Sequence, residues 1–161
     1  MSGADHSGGV ASLPDALSLE RSRTAPAHRK LRDAFWLAAA ATSVAEARRR
    51  VLHRLHTWNI APTTCDTAQL VVSELFTNAV RHTDSERISC ELRLSGARLR
   101  LEVADQGTGR GVPHPRVVGV DGESGRGLML VSQLSEDWGV RSNPYGPGHT
   151  VWAELAARHQ R

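Results

Sequence analysis

Two stretches of the chain, RISCELRLS (87–95) and ARLRLEVAD (97–105), alternate apolar and polar residues with a period of two on either side of Gly96. Successive strand side chains point to opposite faces, so this pattern predicts two strands with one apolar face, joined as a hairpin. DWGVRS (137–142) and GHTVWAEL (148–155), flanking the turn residues Asn143-Pro144-Tyr145-Gly146-Pro147, predict a second strand pair. Upstream, the apolar run AFWLAAAA from Ala34 is of strand length. Helical spacing then takes over. Val44, Ala47, Val51, Leu55 and Trp58 recur on one face with Arg48, Arg49 and Arg54 elsewhere, and Thr42 and Ser43 offer capping hydroxyls. Pro62 suits the first position of a second helix from Thr63 to His82. A Gly/Pro-rich loop over about Gln106 to Gly125 precedes a short helix, GLMLVSQL (127–134).

The order is strand, two helices, two strands, loop, helix, two strands. Strands that arrive as hairpins favour a mixed, largely antiparallel sheet with helices on one face, an α+β two-layer sandwich, over a parallel doubly wound sheet. Residues 1–32, rich in Ser, Gly, Ala, Pro and charge with only Leu13, Leu17 and Leu19 as an apolar grouping, read as a flexible tail. The folded unit is expected over 33–157, with 158–161 a short tail.

Composition narrows the class. The chain has 161 residues, 40% apolar and 23% charged, enough for one ordinary core and no second large domain. No window reaches the roughly 18 apolar residues of a membrane span, and the amino terminus lacks the basic start and apolar run of a signal peptide, so a cytoplasmic protein with no membrane association is expected. Cys65 and Cys90 stand alone, without CxxC or clustered histidine, and read as buried thiols. His53 and His56 read as surface residues. The net charge of +3 comes almost wholly from arginine, with Lys30 the single lysine, but the arginines are scattered and aromatics make up 4%, which argues against direct nucleic-acid binding.

The candidate chemistry lies in four places. In the second helix, Glu74 and Asn78 are four apart and share a face bordered by Leu75, Phe76, Ala79 and Val80. Placing a carboxylate beside apolar groups is costly unless it is paired or has a task, and an amide oxygen one turn on suits a metal-bound phosphate. A solvated Glu74 bonded to Arg81 or Asn78 fits the spacing too. Asp105-Gln106-Gly107-Thr108-Gly109 ends an alternating strand, where a carboxylate can accept from a base amine and glycines let the backbone approach a ligand. A turn needing positive φ explains the same glycines. Gly125-Arg126-Gly127-Leu128 leads into a helix, whose free N–H groups suit a phosphate, although neither the P-loop nor the dinucleotide motif is present. Finally, Gly148-His149-Thr150 opens the last strand.

In this order and spacing, SELFTNAVRH, DQGTG, SGRGL and GHTVW resemble the ATP-binding domain shared by sensor histidine kinases, type II topoisomerases and the chaperone of that fold. The closer resemblance is to the small bacterial anti-sigma factors that are also serine kinases. It covers about residues 34–155 and implies the two-layer Bergerat fold. It further implies ATP and Mg as cofactors, with Asn78 coordinating the Mg²⁺ that bridges the phosphates and Glu74 as the catalytic base or water-orienting carboxylate. Asp105 would bond the adenine amine, backed by Thr150, and Gly107 and Gly109 would form the adenine-side wall and lid hinge. Gly125, Arg126, Gly127 and Leu128 would meet the phosphates at the helix start.

Within these residues there is no room for the phosphorylated helical pair of a sensor kinase or for a transducer domain. The resemblance therefore implies a regulator that holds a sigma factor and phosphorylates a small anti-sigma antagonist on serine or threonine, with a homodimer built on the first strand and helix. The lid from Arg110 to Ser124 is short and holds Pro113 and Pro115. That feature fits an alternative, a nucleotide-dependent binding module that sequesters a partner without phosphoryl transfer.

Overall fold

The computed structural model describes residues 30–107 and 123–161, with the backbone alone for 123–126. Most of the expected amino-terminal tail, Gly109 and most of the expected lid lie outside the described residues. The elements are β1 (Lys30–Ala38), α1 (Ser43–Thr57), α2 (Pro62–His82), β2 (Arg87–Ser95), β3 (Arg98–Asp105), α3 (Glu123–Leu134), β4 (Asp137–Ser142) and β5 (His149–Ala156). The strands form one sheet in the order β1-β2-β3-β5-β4, and every pairing is antiparallel. The mixed character expected from sequence is absent among the described strands; the α+β architecture holds.

The period-two stretches fold as anticipated because each has an apolar face to bury. Ile88, Cys90, Leu92 and Leu94 of β2 lie opposite Asp105, Val103, Leu101 and Leu99 of β3, and Gly96 closes the hairpin at φ 59°. Their common face joins Phe35, Val151, Ala153 and Leu155, and the helices lie against it. From α1 come Ala47, Val51 and Leu55; α2 contributes Val71, Val72, Leu75 and Phe76, and α3 adds Leu128 and Val131. Each of these Val, Leu and Phe side chains, fully buried, is worth about 1.5–3 kcal/mol. An inward carboxylate on the edge strand, Asp33, is met by Arg54 of α1 at 2.8 Å, and Arg50 lies over the Phe35 ring 5.3 Å from its centroid.

Four boundaries differ from the sequence reading. β1 begins at Lys30, because the alternation of Leu31, Asp33 and Phe35 extends the strand upstream of the apolar run. Thr42 precedes α1 in helical conformation and makes no side-chain cap bond. α3 begins at Glu123, four residues before the expected start at Gly127, so Gly125 is helical and not part of the loop. Residues 158–160 are fastened and not a tail: Ala61 N–H donates to Arg158 O (2.8 Å), Gln160 N–H to Asn59 O (2.8 Å), and Ile60 bridges His159. Asn59 takes a left-handed φ of 59°, which Asn tolerates better than most residues, to turn the chain from α1 into that bridge. At α2, Pro62 sits in the first turn as expected, while Arg81 and His82 close the last turn, where positive charge complements the helix dipole.

Candidate nucleotide site

α2 lies along the middle of the sheet and contacts β2, β3, β5 and α3. Its 3.6-residue repeat buries Val71, Val72, Leu75, Phe76 and Ala79 while holding Glu74 and Asn78 one turn apart at the edge of that apolar stripe. Asn78 is 8% exposed and has no hydrogen-bond partner among the described residues, where no fully buried polar side-chain atom is left unpaired. Its carboxamide therefore keeps an opening to solvent, free to accept an incoming ligand.

Glu74 is half-buried, and the backbone of α3 passes directly against it. A Cβ built on Gly127 would lie 2.5 Å from Glu74 Oε2, so the carboxylate fills the space a side chain at that position would take. The solvated pairing of Glu74 with Asn78 or Arg81 does not form; Gly127 is what meets it. Leu128 turns into the core and is 4% exposed, so its side chain packs and does not face a ligand.

The other half of the site lies where β3 ends. Asp105 Oδ1 accepts from Gly107 N–H at 2.9 Å, an Asx-type turn that fixes the carboxylate and leaves Oδ2 unpartnered among the described residues. Thr83, just past α2, accepts the Ser85 N–H through its hydroxyl at 2.9 Å, and a Cβ on Gly107 would come 2.9 Å from that oxygen. Glycine is needed at 107 for space. At Gly148 it is needed twice over: φ is +111°, and a Cβ would collide with the backbone carbonyl oxygen of Asp105. The start of β5 thus presses on the residue that carries the carboxylate.

Thr150 does not back Asp105. It lies opposite Ala104 of β3 and Arg141 of β4, so its side chain stands on the sheet face away from the helices. Asp105 lies opposite Ile88, on the helix side. The β5 residue that shares Asp105's face is His149, half-buried, opposite Ser142. Counting back by twos from the apolar Val151 would have found it. Gly125 and Arg126 belong to the backbone of the first turn of α3, and Gly109 lies outside the described residues.

The residues present fit a nucleotide with a divalent cation: an open carboxamide, a carboxylate one turn away, a second carboxylate with a spare oxygen, and close approaches at Gly107, Gly127 and Gly148. No cluster of His, Cys, Asp or Glu among the described residues forms a metal cage, which suits a cation held mainly by phosphates and a single protein oxygen.

The model of the histidine kinase-like ATPase domain family matches residues 37–154, and the chain belongs to that family. It is a kinase-like ATP-binding domain. The structure is similar to the histidine kinase domain of a blue-light activated histidine kinase from Erythrobacter litoralis, with 22% identity, coverage of 74% of this chain and 61% of that one, and a TM-score of 0.46. The chain thus spans less than two thirds of that domain. No curated protein matches it. Among the described residues, no helix is long and apolar enough to cross a membrane.

Proposed function

We propose that this protein is an ATP-dependent protein-serine/threonine kinase that acts as an anti-sigma factor and switches its partner by phosphorylating a small antagonist. The observation that carries the reading is Glu74, held half-buried against Gly127 one turn from the open carboxamide of Asn78. When bound, Mg-ATP supplies the transferable phosphoryl group. Asn78 would hold the Mg²⁺ through its amide oxygen, and Asp105 would accept from the adenine amine through the carboxylate oxygen that Gly107 leaves unused. Glu74 would orient the partner's serine or threonine hydroxyl and take its proton as that oxygen bonds to the γ-phosphorus and ADP leaves with the electron pair of the broken phosphorus–oxygen bond. Phosphoryl transfer asks for positioning and charge stabilisation more than covalent chemistry from the protein, so this small set of groups is sufficient.

The test is transfer from γ-labelled Mg-ATP into small proteins of a native lysate, comparing wild type with Glu74→Ala and Asn78→Ala. Acid-stable label on one small protein with wild type alone is the expected result, and the labelled protein identifies the partner. Undiminished label with Glu74→Ala removes that residue's role. No label from wild type, with nucleotide still bound, turns the reading to a nucleotide-dependent binding module.

A further inference from the structure

The sheet face turned away from the helices carries charge in a pattern that sheet stability alone disfavours. Register puts Arg32, Arg93 and Arg100 directly opposite one another on three neighbouring strands. Like charges so placed repel, by a few tenths to about 1 kcal/mol per pair. Three glutamates offset this, each shared by two guanidiniums: Glu91 by Arg32 and Arg93, Glu102 by Arg100 and Arg141, and Glu154 by Arg98 and Arg100. Register adds Lys30, Arg87 and Asp137 to the same face. Seven basic residues against four acidic ones leave an excess of three positive charges, equal to the formal net charge of the whole chain, +3.

Depth sharpens the asymmetry. The side chains of Arg32, Arg98, Arg141 and Arg93 are 65%, 63%, 50% and 48% exposed, whereas those of Glu91, Glu154 and Glu102 are 17%, 18% and 6% exposed. The carboxylates lie underneath and the guanidiniums outermost, so an approaching molecule meets cations. Arginine's planar fork matches carboxylate geometry.

We propose that this open face docks an acidic segment of a partner protein, whose carboxylates pair with the outer guanidiniums of Arg32, Arg93, Arg98 and Arg141. Charge complementarity selects the occupant. The side chains of residues 1–29 include three acids and three arginines and offer no net complement, and a second copy of the face would present the same positive excess. Single-stranded nucleic acid is disfavoured because it calls for open aromatic platforms. Here Arg100 caps the Trp152 ring at 4.1 Å from its centroid, with Gly139 close against the ring, which leaves Trp36, 45% exposed at the edge strand with Arg87 5.8 Å over it, as a lone ring with no second on which a neighbouring base could stack. The face is separate from the nucleotide site, on the other side of the sheet.

The experiment is fluorescence anisotropy of a labelled oligoglutamate peptide titrated with the full chain, with a labelled single-stranded oligonucleotide of equal charge alongside. Arg32→Gln/Arg93→Gln and, independently, Arg98→Gln/Arg141→Gln should each weaken peptide binding about tenfold. Arg48→Gln/Arg49→Gln, which removes the same charge from α1, should leave it within about twofold. Circular dichroism and ATP-analogue binding unchanged from wild type show that the variants are folded. No peptide binding by wild type, equal loss in all three variants, or tighter binding of the oligonucleotide than of the peptide would each overturn the proposal.

Discussion

The carboxylate of Glu74 occupies the space that a side chain at Gly127 would need, since a Cβ at that position would stand only 2.5 Å from Oε2. A methyl group there has one soft neighbour, the far end of a flexible side chain, while alanine is favoured over glycine in a helix by about 1 kcal/mol. Gly127→Ala should therefore leave the melting temperature unchanged or raise it, while displacing the Glu74 carboxylate and lowering phosphoryl transfer about a hundredfold or more. Thermal melts paired with the labelled-ATP assay read both arms; retained transfer would mean that the carboxylate's position is not critical.

Asn78 forms no hydrogen bond among the described residues, so its removal breaks none there. Asn78→Ala should change stability by no more than about 1 kcal/mol. Mg-dependent ATP affinity, measured by calorimetry, should fall about tenfold or more, equivalent to ~1.4 kcal/mol. An unchanged affinity would remove Asn78 from the cation site.

Gly148 presents the opposite case to Gly127, because the obstacle is backbone. With φ at +111° and the Asp105 carbonyl in the way, Gly148→Ala should lower stability by more than about 2 kcal/mol, read as a shift in the urea midpoint. Gly146→Ala, where a Cβ would meet nothing within 4 Å, should stay within about 0.5 kcal/mol of wild type.

Burial pushes the Cys90 thiol far above its ordinary range, and burial followed by nearby Asp66 raises that of Cys65. An unfolded thiol loses its proton near pH ~8.5, while the folded one keeps it. The folded state then binds more protons, so stability is full below that pH and declines as pH rises above it. Denaturation midpoints should fall from about pH 8 to 10, less steeply in Cys90→Ala. An aromatic disulfide reagent should label neither cysteine in the native protein and both in denaturant.

At acid pH the sign reverses. The Arg32 hydrogen bond, supported by Arg93, holds the Glu91 carboxyl below the usual range despite partial burial. The unfolded chain takes up that proton first, so this contribution is present above about pH 5 and lost progressively as pH falls through and below the ordinary carboxylate range. Glu91→Gln should flatten the acid limb of the stability curve measured by urea melts.

Much of this fold was legible because β2 and β3 each have a single buried face, and alternation is the direct trace of that. Pro62 and Gly96 were readable for the same local reason, as each sits where its backbone is preorganised or permissive. The missed features depend on partners far away in sequence. Gly125 suggested a loop because glycine is a poor helix former, yet α3 already runs from Glu123, and at Gly127 the Glu74 carboxylate takes the space a side chain would fill. Glu102 falls at a polar position of β3 and reads as solvent-facing, but Arg100, Arg141 and the neighbouring strand leave it 5% exposed. Pairing Thr150 with Asp105 followed motif order, whereas side-chain direction follows the pleat, which turns His149 toward that carboxylate's side.

The clasp between Asn59-Ile60 and His159-Gln160 joins positions about a hundred residues apart. During synthesis, the corner between α1 and α2 waits for β5 and the residues after it to leave the ribosome before it can be fastened. Until then, α1 and β1 can pack on α2 and β2, but that corner stays open. Long-range closure of this kind slows folding, and it makes nascent chains halted before His159 the ones most exposed to proteolysis at the α1–α2 corner.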